Sequence, residues 1–438
     1  MEIEINVRKK LHKGVKAVEK DRITGLMHVD DFMRETDQLI KETNENYVMI
    51  IIDVSNFRYF NDFYGISVGD EFLREMAHFF CIDNSNCVLA CRTGSDQFRM
   101  LINLNHRSRE EEVAYIEKKN YEFEAVCAGK YPKVFLHVYT GVYFLTEEVT
   151  DSRQAVDRAH MAKKAAKGNF NIKCSVYSEK LFHDKIEDMK VSRMFESACD
   201  SGRLLVYLQP KYSSSRNVMI GAEALARIQA EDGTIISPGK FVPNIERNGM
   251  VTKLDGIMLE KVFQIQRRLV EEGKEIVPIS VNISSMGFSN VHFSDKVLAF
   301  AKLYNIPHHM IELEITESTL IEGIEDVEEN VKQLRAQGFR ISVDDFGSGY
   351  SSLNQIASIP ADVIKLDGIF ARKGIKSVKG RKVTKAIIEM LTAVDFEVIC
   401  EGVETKEECN IINSYGCDEI QGFLYAKPQP WEEVFHIK

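Results

Sequence analysis

The chain has 438 residues, 44% hydrophobic and 28% charged, with only 9 prolines, so it reads as core-forming and neither disordered nor collagen-like, and at about 150 residues per domain it predicts two or three domains. Its formal charge is 56 − 66 = −10, divided as 26 − 28 = −2 up to residue 180 and 30 − 38 = −8 beyond it, so neither part carries the basic excess that a long nucleic acid demands. No apolar run approaches the roughly 20 residues of a membrane span and the opening MEIEINVRKKLHKG lacks a signal-peptide core, which predicts a soluble, cytoplasmic protein.

In chain order, YVMIIIDVS (47–55) is an apolar run of buried-strand length. NDFYGISVGDEFLREMAHFF reads as a turn followed by a helix, and CVLACRTGSDQFRMLINL as a hairpin around Gly94 and Ser95. KVFLHVYTGVYFL predicts a further strand, and DSRQAVDRAHMAKKAAKG a helix that stops at Gly168. Together these make an N-terminal α+β, ferredoxin-like domain over residues 1–178, with a short helix at its start. A connecting helix is expected over 179–203. The nine cysteines include no C-x-x-C pair, and no second pair matches Cys87 and Cys91, so reduced thiols are expected rather than zinc or disulfides.

From 204 to 438, short apolar runs alternate with amphipathic helical segments, which predicts a (β/α)8 barrel and hence an α/β second domain. Nearly every run is apolar until its last residues and then presents Glu223, Asn282, Glu314, Asp344, Asp345, Lys365, Glu401 or Gln421. At the C-terminal face of a parallel barrel such residues become neighbours. So many carboxylates in one place raise one another's pKa unless cations neutralise them. An all-oxygen set suits Mg2+ or Mn2+, and none of the 11 histidines lies at these strand ends. Adjacent Asp344 and Asp345 point to opposite faces of a regular strand, so for both to reach a metal the strand must be ending there. One aspartate shared by two ions points to a two-metal phosphodiesterase or phosphatase.

The segments GAEALAR, SVNIS, ELEITES, DDFGSGYSSL, IKLD, CEGVET and QGFLYAKP, in this order over residues 186–438, resemble the EAL-domain family. These are bacterial phosphodiesterases that hydrolyse cyclic di-GMP to linear pGpG. The resemblance implies a first metal on Glu223, Asn282, Glu314 and Asp344, and a second on Asp344, Asp345 and Glu401. Lys365 is implied to orient the attacking water, and Gln209, Arg227 and Gln421 to contact substrate. Glu317 matches the glutamate that anchors the DDFGSGYSSL loop, while Glu404 lies beside the metal-binding glutamate. For Glu317, Glu404 and Asp367, support and direct catalysis both stay open. Cys400 and Ser348 are slight departures, where the family often has Ala and Thr. A homodimer through elements near the loop is a further implication.

DRITGLMHVDDF, DVSNFRYFNDFYGISVGDEFL and CRTGSDQF, within residues 17–178, resemble the GGDEF family, diguanylate cyclases that join two GTP molecules into cyclic di-GMP. By that resemblance Asp53 and Asp96 hold Mg2+, Asn61 and Asp70 recognise guanine, and Lys164 contacts phosphate. The signature loop departs from the family, reading Gly94-Ser95-Asp96-Gln97-Phe98, with a side chain in place of one glycine and an amide in place of one acid. Ser85-Asn86-Cys87-Val88 stands where the inhibitory Arg-x-x-Asp is expected. A degenerate cyclase is therefore expected, one that binds GTP and raises phosphodiesterase activity through the connecting helix. A non-catalytic cyclic di-GMP receptor and a bifunctional protein with residual cyclase activity remain as alternatives.

Overall fold

The computed structural model describes residues 20–42, 46–104, 107–146, 148–167, 172–321, 324–347 and 359–437. The expected helix at the N-terminus, the stop at Gly168, Ser348 and most of the DDFGSGYSSL loop lie outside them. The chain divides into two compact units, 1–187 and 188–438, and passes from one to the other within the helix Glu179–Asp200.

The first unit is built on a five-stranded sheet of β1 (Tyr47–Val54), β2 (Cys87–Gly94), β3 (Gln97–Asn103), β4 (Val138–Phe144) and β5 (Cys174–Val176), in the order β2-β3-β1-β4-β5. All eight residues of central β1 are buried, because both of its faces are covered. Val48, Ile50 and Ile52 share one core with Phe57, Phe72, Ile116 and Phe123, while Tyr47, Met49 and Ile51 share another with Phe32, Ala155 and Ala159. The period of two that assigns alternate residues to opposite faces explains the unbroken apolar run.

Two local expectations change. NDFY is helical: one helix spans Phe57–Tyr64 and a second Ile66–Met76, with Gly65 at φ +90° between them. The strand read from KVFLHVYTGVYFL begins only at Val138, opposite Val54, the last residue of β1; before it His137 is held by Ser55, whose nitrogen donates to the His137 carbonyl (2.8 Å), and the helix that starts at Phe57 takes the chain of β1 away.

The helix Ser152–Lys167 lies against β4 at Gly141, where a Cβ would sit 2.1 Å from the Ala159 carbonyl oxygen and 2.3 Å from the Lys163 nitrogen. Gly141→Ala is therefore expected to push this helix off the sheet and destabilise the first unit by about 1–3 kcal/mol, read as a lower thermal midpoint. An unchanged midpoint would mean the approach is not close.

The second unit is a closed eight-stranded barrel of β6 (Leu204–Ser213), β7 (Val218–Gln229), β9 (Ile279–Asn282), β10 (Ile311–Thr316), β11 (Arg340–Phe346), β12 (Val363–Leu366), β13 (Glu397–Glu401) and β14 (Glu419–Gln421). Two-residue strands β8 (Ile235–Ile236) and β15 (Gln429–Pro430) extend the rim. Most neighbours run parallel, but β6 is antiparallel to both β7 and β14. Only residues 214–217 join β6 to β7, too few for a parallel crossover of a dozen or more residues, so the barrel opens with a hairpin.

Candidate active site

The barrel strands alternate between two environments. Ile279, Val281, Leu313, Ile315, Ile341, Val343, Ile364 and Leu366 join the apolar core. Between them Ser280, Glu312, Glu314, Ser342 and Lys365 are also buried, and they form a polar interior. Glu314 lies opposite Asn282, Thr316 opposite Asp344, and Glu401 opposite Gln421, so parallel register gathers residues far apart in sequence. Glu223 departs from the expected strand-end position, since β7 continues to Gln229 to pair with β6 and β8.

Lys365, fully buried, stands at the centre. Its Nζ lies 2.7 Å from Glu314 Oε2, 2.9 Å from Glu401 Oε1, 3.0 Å from Asp344 Oδ1 and 3.2 Å from Glu223 Oε2. Around it, one carboxylate oxygen from each of Glu223, Glu314 and Asp344 falls within 4.8 Å of the others, and the same holds for Asp344, Asp345 and Glu401. Asp344 belongs to both groups. Asn282 Nδ2 donates to Glu223 Oε1 (2.8 Å) and Gln421 Nε2 to Glu223 Oε2 (2.6 Å), and Gln421 also approaches Gln209 Oε1 at 3.4 Å.

Asp344 and Asp345 converge by a route other than a strand ending. β11 runs on through Phe346, but its register against β12 shifts between Val343 and Phe346, and Asp345 takes φ +53°. This bulge breaks the alternation locally. Glu317 Oε2 accepts from the Gly347 nitrogen at 2.8 Å, fixing the backbone that follows. Asp367 caps the helix Gly368–Arg372, and Glu404 is exposed on the wall of a cavity of about 290 Å3 that Gln209, Glu223, Asp344, Arg372, Glu401 and Gln421 also line. Arg227 is engaged elsewhere, donating to the Ala226 carbonyl (2.8 Å) and lying over the Tyr207 ring.

Sequence reasoning missed Lys211. It is buried near the C-terminal end of β6, where Nζ reaches Ser280 Oγ (2.9 Å), Glu312 Oε1 (2.9 Å) and Glu314 Oε1 (3.1 Å). The signal was available in the spacing: Gln209 and Lys211 are two apart and face the same interior. With both lysines beside it, Glu314 is held at about 2 although burial alone would raise it. Glu401 is pushed up to about 8 by burial, with Asp344 and Glu223 adding to the rise, and burial also raises Glu223 and Asp344. Two ammonium groups, one of them shared with Glu312, cannot neutralise this many carboxylates in a buried space. The all-oxygen donor set, partly driven toward protonation, therefore fits hard divalent cations.

In the first unit Asp53, 3% exposed, is held on both oxygens: Oδ2 accepts from Lys163 Nζ (2.6 Å) and Gln97 Nε2 (2.8 Å), and Oδ1 from Lys167 Nζ (2.8 Å). Burial opposes its charge, yet the two lysines keep its pKa below the ordinary carboxylate value. Lys163 and Lys167, one helical turn apart, were not singled out in sequence, whereas Lys164 between them is exposed. Asp96 is half-buried in the turn between β2 and β3, beside Ser95 at φ +49°. Asn61 and Asp70 sit on the successive helices Phe57–Tyr64 and Ile66–Met76, and Asn61 Oδ1 is buried with no hydrogen-bond partner among the described residues.

The family model of the EAL domain matches residues 192–428, and that of the diguanylate cyclase, GGDEF domain matches residues 18–171. Over 419 residues the chain is 29% identical to cyclic di-GMP phosphodiesterase PdeR of Escherichia coli, covering 94% of this chain and 62% of that protein. It is 26% identical to signaling protein YkoW of Bacillus subtilis over 89% of this chain and 48% of that one. Bifunctional diguanylate cyclase/cyclic di-GMP phosphodiesterase MucR of Pseudomonas aeruginosa is 26% identical over 94% of this chain and 61% of its own length. The chain thus spans about half to three fifths of the length of these relatives. Among solved structures, PaMucR phosphodiesterase in its c-di-GMP complex matches at TM-score 0.53 and 29% identity, over 56% of this chain and 99% of that one.

Proposed function

The chain belongs to the EAL-domain family, and we propose that it hydrolyses cyclic di-GMP to linear pGpG with two divalent cations, Mg2+ or Mn2+. The observation that carries this reading is the pair of carboxylate groups sharing Asp344 around a buried lysine. Glu223, Asn282, Glu314 and Asp344 would hold one cation, and Asp344, Asp345 and Glu401 the other. Bound there, the cations supply Lewis-acid charge neutralisation and lower the pKa of a water. The Lys365 ammonium orients that water toward phosphorus and holds the carboxylates together against their mutual repulsion. Water adds to one phosphorus, the bond from that phosphorus to the 3′ oxygen breaks, and the departing oxygen takes up a proton as a hydroxyl. Gln209 and Gln421 present amides to the substrate, and Arg227 turns from its own backbone to a phosphate oxygen.

Incubation of the purified chain with cyclic di-GMP and Mg2+ or Mn2+, read by chromatography, is expected to give pGpG. Binding without turnover would leave a receptor in place of an enzyme. In the same assay GTP bound by the first unit is expected to raise the rate, while GTP alone yields no cyclic di-GMP. A homodimer, checked by sedimentation, completes the reading.

Lys211→Met tests the interior support of Glu314. Loss of such a partner is expected to weaken metal affinity about 10–100-fold while the rate recovers at high Mn2+. A rate lost at every Mn2+ concentration would place Lys211 in the chemistry instead, and an unchanged metal affinity would remove its positioning role.

A further inference from the structure

The carboxylate that the cyclase resemblance gives to a metal stands in surroundings of the wrong sign for one. Two ammonium groups and an amide N–H engage both oxygens of Asp53, so the local balance is one negative charge against two positive. A divalent cation entering there would have to displace two lysines and meet their repulsion. This is the opposite of the barrel site, where several carboxylates face Lys365.

The placement of these groups is built into the fold. Lys163 is 4% exposed and follows Ala159 along the helix that Gly141 admits against the sheet. Gln97 opens β3 beside β1, and its Nε2, not its carbonyl, is turned to Asp53. A glutamate there would bring the balance to two against two and leave no surplus for phosphate, which would then call for a cation; the glutamine donates and keeps the surplus. Lys167 is half-exposed and exposed Lys164 lies on the same helix, so positive charge continues from the buried pair to solvent. Surplus ammonium that reaches solvent suits a polyphosphate.

We propose that the Asp53 site takes the phosphates of a guanine nucleotide without a divalent cation, with Lys163 and Lys167 filling the cation's place. This rests on the reading that the first unit holds a nucleotide through Asn61 and Asp70. Cyclase chemistry, which needs the metal, is absent from such a site while ligand binding is kept.

The test is binding of a fluorescent GTP analogue to the full chain, in Mg2+ and in excess EDTA, with Asp70→Ala as the control that the signal comes from the first unit. Equal affinity in the two buffers is expected. Lys167→Ala, at a half-exposed position that leaves the fold intact, is expected to bind about tenfold more weakly in both, the loss of one charge-assisted contact. Gln97→Glu is expected to make binding Mg2+-dependent. Wild-type binding that disappears in EDTA would overturn the proposal. Absence of binding in both buffers would remove the nucleotide reading itself, and Mn2+ electron paramagnetic resonance would then decide the exclusion of metal. An equal number of bound ions in wild type and Asp53→Asn upholds exclusion, and one ion fewer in the variant overturns it.

Discussion

Asp344→Asn is expected to lower cyclic di-GMP hydrolysis by about 10³-fold or more, equivalent to about 4 kcal/mol of transition-state stabilisation. The size follows from its place in both carboxylate groups: neutralising Asp344 weakens two cation positions, whereas Asp345→Asn or Asn282→Ala touches one. Mn2+ binding followed by calorimetry separates the cases, since Asp344→Asn should impair both ions and the other variants only one. Wild-type turnover in Asp344→Asn would remove Asp344 from the chemistry, and a loss equal to that of Asp345→Asn would deny that it is shared.

Lys365→Met is expected to abolish turnover and also to destabilise the metal-free protein. The substitution keeps an unbranched chain as far as Cε but removes the ammonium that lies within 3.2 Å of four carboxylates. Breaking a buried ion pair costs about 3–5 kcal/mol, on the order of 10 °C in the midpoint of a unit this size. Added Mn2+ should restore much of that stability, because cations then take over the neutralisation, while turnover stays lost. The midpoint should therefore rise more with Mn2+ in the variant than in wild type. A variant as stable as wild type without metal would show that the carboxylates are already protonated and that Lys365 does not hold them.

The strand-helix alternation and the acids along it were legible because the period of two is a local property and because parallel barrel strands end on one face. Glu314, Asp344, Lys365 and Glu401 could be grouped in this way. What escaped depends on connection length and on chain irregularity. The antiparallel β6 follows from a four-residue join, and once β6 is reversed Lys211 comes to Glu314 from a strand whose polar end was expected elsewhere. The bulge at Asp345 depends on a left-handed φ at a non-glycine residue, which no apolar pattern announces. In the first unit, the sequence marks a lysine-rich helix but not which of its lysines turns inward. That choice is made by the contact of Gly141 with Ala159 and Lys163.

The most direct measurement is anomalous diffraction from a crystal of the full chain soaked in Mn2+. Two peaks are expected, one on either side of Asp344, the first against Glu223 and Glu314 and the second against Asp345 and Glu401, with none at Asp53. Clear density for the carboxylates with no Mn2+ among them, or with Mn2+ elsewhere in the chain, would contradict a two-cation hydrolase.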